Sequence, residues 1–164
     1  MVEMTAASVS RATALWLDSQ RWALLRVQAL DRRFGRGSRL PAHLQTGLRG
    51  EFEALFYLRR LGYTIAERRW RSPELNGDLD LVAWERDTLC FIEVKTRTAR
   101  DMTPAALAID GAKRTMLKKM AASYIRTLPR EIGKDLLVRF DIVSVYLLGE
   151  HVECELIRDA IERR

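Results

Sequence analysis

Between residues 78 and 95 the chain puts two carboxylates where an apolar β-hairpin should carry none. The runs Asp78–Trp84 and Leu89–Lys95 are short, mostly apolar and separated by Arg86-Asp87, which predicts two strands joined by a tight turn. With the turn centred on that dipeptide, Trp84 faces Leu89 and Val82 faces Phe91. The same register continued outward sets Asp80 opposite Glu93 and Asp78 opposite Lys95. Side chains alternate along a strand, so Asp80, Val82 and Trp84 share a face with Leu89, Phe91, Glu93 and Lys95. Leu79, Leu81 and Ala83 fall on the other face with Cys90, Ile92 and Val94. Both faces are apolar at their centre, the pattern of a strand pair covered on both sides.

Residues directly opposed across such a pair have Cβ atoms about 4.5–5.5 Å apart, where like charges repel. A sequence shaped only by stability would place threonine, valine or an opposite charge there. A divalent cation removes the conflict, because Mg2+ takes one or two carboxylates and completes its shell with water and phosphate oxygens. Asp80 and Glu93 are therefore candidate ligands for Mg2+ or Mn2+. Lys95, two residues beyond Glu93 and facing the same way, is placed to polarise an attacking water or to hold a phosphate.

A third acid is out of place on a helix. From about Gln45 to Leu61, with Gly62 as the stop, Leu48, Ala54, Leu55, Leu58 and Leu61 form one apolar arc at roughly 100° per residue. Glu51 falls near the middle of that arc, where a carboxylate is costly unless paired or bound to a cation. Glu53 falls on the opposite side and reads as an ordinary surface acid.

The remaining segments predict a strand over Tyr63–Trp70, a loop over 72–77 and a helix over about 110–127 with Asp110 as its N-cap. A second hairpin, Val138–Leu147 and His151–Ile157 around Gly149-Glu150, closes the order. Ahead of these, Ala12, Leu15, Trp16, Trp22, Ala23, Val27 and Leu30 recur at helical steps between Ser10 and Arg33, and residues 34–41 read as a linker. The chain thus divides into an N-terminal amphipathic helix and linker, 1–44, and a domain over 45–160. The order α–α–β–β–β–α–β–β suggests an α/β fold, a mixed sheet flanked by helices with one extra helix in front. An apolar helix face bearing two tryptophans is expected to pack on its own domain or on a second copy, as a homodimer.

Composition limits the function classes. No apolar run approaches the roughly 20 residues of a membrane span, and no secretory pattern opens the chain, so a cytoplasmic protein without membrane contact is expected. Two cysteines cannot build a structural zinc site, and Cys90 and Cys154 read as buried thiols in strands. The net charge of +6 favours a polyanionic partner once a phosphate-directed site lies nearby. His43 and His151 belong to no catalytic pattern.

These residues carry a resemblance. Gly47-Leu48-Arg49-Gly50-Glu51 with Ala54, Leu58 and Gly62-Tyr63, then Trp70-Arg71, Gly77-Asp78-Leu79-Asp80-Leu81-Val82 and Phe91-Ile92-Glu93-Val94-Lys95-Thr96-Arg97 follow the order of the YraN family. Lys113-Arg114 and Phe140-Asp141-Ile142-Val143 complete the match, over roughly residues 46–157. That bacterial family belongs to the restriction-endonuclease-like superfamily, the PD-(D/E)XK proteins, alongside Holliday-junction resolvases. The resemblance implies an endonuclease-like core in which Asp80 and Glu93 hold the metal, Glu51 completes the site, and Lys95 is the catalytic base or charge stabiliser. Two positions depart from it: the family usually has glutamate at Asp78 and asparagine at Arg69.

The expectation is a metal-dependent nuclease, an endonuclease hydrolysing phosphodiesters in nucleic acid, DNA before RNA, with branched DNA suggested by the resolvases. Arg71, Arg97, Lys113 and Arg114 are the candidate nucleic-acid contacts. Lys113, on one helical stripe with Leu117, Met120 and Tyr124, is expected to point inward. Two alternatives stay open: a nucleic-acid-binding protein that keeps the fold and cuts little or nothing, and an adaptor working through the N-terminal helix.

Overall fold

The computed structural model describes residues 41–100, 109–129, 132 and 136–161. The expected N-terminal helix and its linker lie outside them up to residue 40. Helix α1 (Ala42–Arg60) starts three residues earlier than expected, behind Pro41. It ends where glycine predicts. Gly62 takes a left-handed φ of +90°, the Tyr63 N–H donates to the Leu58 carbonyl at 3.0 Å and the Gly62 N–H donates to Arg59 at 3.1 Å. That pair of bonds closes a Schellman motif, and Arg59 and Arg60 face the negative end of the helix.

Strands β1 (Thr64–Trp70), β2 (Leu79–Glu85), β3 (Thr88–Arg97), β4 (Leu137–Leu148) and β5 (His151–Ile157) form one sheet in that spatial order. From Glu85 and Thr88 to Leu81 and Ile92 the β2–β3 register is the one expected, with Trp84 opposite Leu89 and Val82 opposite Phe91, and Arg86 turns the corner at φ +55°. The expected pairs Asp80–Glu93 and Asp78–Lys95 lie beyond this ladder, and Asp80 lines a cleft with Glu51 and Thr96 and does not share the face of Glu93. Strands β3 and β4 run parallel, which requires a crossover, and helix α2 (Gly111–Ile125) lies in it. Asp110 caps α2 by accepting from the Lys113 backbone N–H at 2.7 Å. The other neighbouring strands are antiparallel, so the sheet is mixed.

Each helix covers one face. Helix α1 packs Ala54, Leu55 and Leu58 onto Leu81, Ala83, Cys90, Ile92, Val143 and Val145. Helix α2 packs Leu117, Met120 and Tyr124 onto Val82, Leu89, Phe91, Phe140 and Ile142. The central strands are buried on both sides, and the architecture is an α/β restriction-endonuclease-like core.

Two expectations are corrected. Leu79 does not share the face of Leu81; it joins the α2 cluster, with its β1 partner Trp70 packed against the same cluster. The cause sits one residue before Trp70, where Arg69 holds φ +48° inside the strand. A left-handed residue interrupts the alternation of faces, so the strand end beyond it is turned over. Glu53, expected at the surface, is 2% exposed and has a partner. Phe56 also lies off the apolar arc and is 3% exposed, so α1 is enclosed on more than its apolar side. A helical wheel locates an arc but does not encode how many sides the rest of the protein covers.

Helix α1 and β3 approach closely at Gly50. A Cβ there would lie 1.8 Å from Thr96 Oγ1 and 2.8 Å from Thr96 Cβ. Gly50→Ala would gain up to about 1 kcal/mol of helix propensity on an open helix. Here the clash is expected to reverse the sign, giving a net loss of roughly 1–3 kcal/mol in urea unfolding. Thr96→Ala added to that variant removes the Oγ1 contact but keeps the Cβ at 2.8 Å, so it should restore only part of the loss. A stabilised single variant would show that the two elements can separate freely.

Candidate active site

The β2–β3 ladder runs from Glu85 and Thr88 to Leu81 and Ile92. Beyond it the Val94 N–H donates to Asp80 Oδ2 at 2.8 Å, so a carboxylate takes the place of a backbone acceptor. The candidate acids are set around this mouth of the strand pair, Glu51 and Asp80 in one cleft and Glu93 on the α2 side.

Glu93 is buried on the α2 side of β3, 4% exposed. Its Oε1 accepts from Lys95 Nζ at 3.0 Å and also lies 3.0 Å from Lys113 Nζ. Its Oε2 is buried with no hydrogen-bond partner. Lys95 comes from the same strand, two residues on, and Lys113 from the first turn of α2. Lys113 therefore points inward as its helical stripe predicts, but to a carboxylate in the site.

Asp80 is the electrostatically strained member. Burial, then the neighbouring Glu93 charge, pushes its carboxyl up to about 7, against the Val94 hydrogen bond and the Lys113 charge, which pull it down. Glu51 reaches in from α1. Its carboxyl is raised by burial, opposed chiefly by the Arg69 and Arg68 charges. Glu51 Oε2 is also buried without a hydrogen bond and lies 3.7 Å from Arg69 Nε.

A cleft of about 640 Å³ opens on the α1 side, lined by Glu51, Asp80, His43, Thr46, Thr96 and Arg97. His43 at its mouth is a residue that sequence patterns passed over, since no spacing links it to the acids. Arg69 was also missed, because only its backbone conformation brings it to Glu51. Around the site, Arg71 is well exposed and 3.7 Å from Asp78, and exposed Arg114 donates through Nε to the Ile109 carbonyl at 3.1 Å.

The donor set suits a hard cation. Carboxylate oxygens are the ligands Mg2+ and Mn2+ prefer, and two of them, Glu51 Oε2 and Glu93 Oε2, are buried without hydrogen bonds. They do not form a finished cage: among the described residues no three His, Cys, Asp or Glu side chains are gathered closely enough to hold an ion as they stand. Ammonium and guanidinium groups occupy the acids instead. No helix among the described residues is long and apolar enough to cross a membrane.

Comparison with known proteins gives the same placement as the motifs. The model of the uncharacterised protein family UPF0102, a YraN-like family, matches residues 50–145, which span Glu51, Asp80, Glu93, Lys95 and Lys113. A UPF0102 protein of Koribacter versatilis is 44% identical over 120 residues, covering 73% of this chain and 81% of its own. One from Solibacter usitatus is 42% identical over 98 residues, 60% and 72% of the two chains. A third, from Syntrophus aciditrophicus, is 35% identical over 124 residues, 76% and 94% of the two chains. With the family model matching more than half of the sequence on a restriction-endonuclease-like core, the chain belongs to the uncharacterised protein family UPF0102.

Proposed function

We propose that this protein is a metal-dependent nuclease that hydrolyses phosphodiester bonds in nucleic acid, DNA before RNA, with branched DNA as the first substrate to try. One observation carries the reading. Glu93 is buried against two lysines with one oxygen lacking a hydrogen-bond partner, and its charge lies near enough to push up the Asp80 carboxyl. A stability-driven core has no use for that arrangement, since an unsatisfied buried charge costs free energy.

Asp80 and Glu93, with Glu51, would hold Mg2+ or Mn2+, which when bound supplies Lewis-acid polarisation of a phosphodiester. The chain's own groups do the rest. Lys95 orients the attacking water and balances charge at the phosphate. Lys113 neutralises Glu93 from the opposite side. Arg97, which lines the cleft, and the exposed Arg71 and Arg114 would hold backbone phosphates and position the strand without reading its sequence.

A second reading is supported by one finding: Glu93 already has two ammonium groups within 3.0 Å, and the acids are not drawn together. A protein built to bind nucleic acid without cutting it could keep that self-neutralised arrangement.

The test is cleavage of branched and single-stranded DNA with Mg2+ or Mn2+, comparing wild type with Glu93→Ala. The nuclease reading expects cation-dependent cleavage that Glu93→Ala abolishes. Cleavage that survives the substitution overturns the site. Binding in Ca2+ with no cleavage in Mg2+ or Mn2+ selects the binder.

A further inference from the structure

Arg69 sits badly by every local rule. It lies inside β1 yet holds φ +48°, a left-handed conformation that long side chains rarely adopt. In a regular strand Arg68 and Arg69 would point to opposite faces. Here both reach helix α1: the Arg68 guanidinium lies 4.2 Å from the centre of the Phe52 ring, and Arg69 Nε lies 3.7 Å from Glu51 Oε2. The left-handed residue is what brings the second arginine round to the acid.

The contact it makes is incomplete. At 3.7 Å it is an ion pair without a hydrogen bond, and the same Glu51 oxygen is buried with no hydrogen-bond partner at all. Glu51 is 14% exposed at its side chain, whereas Arg69 is 43% exposed and opens toward solvent. A fixed structural pair would bury both partners and close the hydrogen bonds. This pair holds charge against charge and leaves the acid's ligand capacity unused.

We propose that Arg69 is a displaceable counter-charge of the cation site: it neutralises Glu51 when no cation is bound, and a cation taking that carboxylate frees the guanidinium to hold a substrate phosphate. The inference rests on the nuclease reading of the acids, and it adds a residue that both competes for the cation and receives the substrate. Guanidinium suits the second task, since its planar fork matches phosphate oxygens.

Arg69→Asn separates the two roles. Asparagine tolerates the left-handed conformation, so the variant is expected to fold with an unchanged or higher melting temperature. Calorimetric titration of the full chain with Mn2+ alone should show binding about 5–10-fold tighter than wild type, because a positive charge near the site is gone. Binding of a labelled DNA junction in Ca2+, followed over a range of salt, should weaken, with the log–log salt slope smaller by about one phosphate contact. Arg69→Lys, which keeps the charge, should restore both toward wild type.

Unchanged or weaker Mn2+ binding by Arg69→Asn overturns the proposal, and so does an unchanged salt slope. Glu93→Gln distinguishes the two levels of failure. If it weakens Mn2+ binding while Arg69→Asn does nothing, the cation site stands and the role of Arg69 falls. If wild type shows no Mn2+ binding that depends on Glu93, the nuclease reading and this proposal fall together.

Discussion

Arg139→Ala is expected to cost roughly 3–5 kcal/mol of folding stability, read by urea unfolding, the largest loss expected from any single side chain in this core. Arg139 lies near the start of β4 and ties it to β2 and to Tyr63, just ahead of β1. Its Nε and Nη2 each donate to Asp141 at 2.8 Å, and Nη2 also donates to Glu85 at 2.6 Å and to the Tyr63 hydroxyl at 2.8 Å. Asp141 is 1% exposed, and its Oδ1 takes one further bond, from the Asp159 N–H at 3.0 Å. Hydrogen bonding to Asp141 raises the guanidinium's pKa, and burial beside the Asp141 charge pushes the Tyr63 hydroxyl up. Alanine would leave Asp141 charged and enclosed with only the Asp159 bond, and the lost stability is mainly the penalty for that orphaned charge. Arg158, half exposed and 3.0 Å from Glu85, is the control: Arg158→Ala is expected to cost within about 1 kcal/mol. A loss below about 1 kcal/mol for Arg139→Ala would mean that water reaches Asp141 when the guanidinium leaves.

This network shows what kind of feature stays hidden in a sequence. Tyr63, Glu85 and the Arg139–Asp141 pair lie far apart along the chain, and no periodicity links the three. The β2–β3 pair was legible because a two-residue turn and strict alternation determine register together, which is why Trp84 meets Leu89 and Val82 meets Phe91 as expected. The ends of α1 and α2 were legible for the same local reason, a glycine stop and an aspartate cap. Alternation failed in β1, at the register shift between Ile65 and Glu67 and again at the left-handed Arg69. At Arg69 nothing in the letters announces a left-handed residue, so Trp70 and Leu79 turned up against α2 and Arg69 turned up beside Glu51. Asp80, Glu93 and Glu51 were conspicuous because each is a charge on an apolar pattern. Lys113 could be seen to face inward, but its partner could not, since the crossover that brings α2 over β3 is a tertiary event. Glu53 misled for a matching reason: its burial depends on neighbours, not on its own helix.

Asp80→Asn is expected to stabilise the protein by an amount that grows with pH. The carboxyl is raised from an ordinary value of 3.8 to about 7 by burial and by Glu93, so the folded protein holds its proton more tightly than the unfolded chain does. Below the unfolded value both states are protonated and Asp80 contributes nothing to pH dependence. Between the two values the folded state binds more protons, so stability falls as pH rises, and above about 7 the penalty is complete. Asparagine cannot ionise, yet its carbonyl can still accept from Val94. The variant should therefore exceed wild type by something of order 3 kcal/mol at about pH 8, with roughly half of that gain left near pH 5.5. Millimolar Mg2+ is expected to raise the wild-type stability toward that of the variant and to leave the variant nearly unmoved, because a cation relieves the same repulsion that the substitution removes. A variant no more stable than wild type at high pH would show that Asp80 carries no buried charge, and the case for a cation at this strand mouth would lose its main electrostatic support.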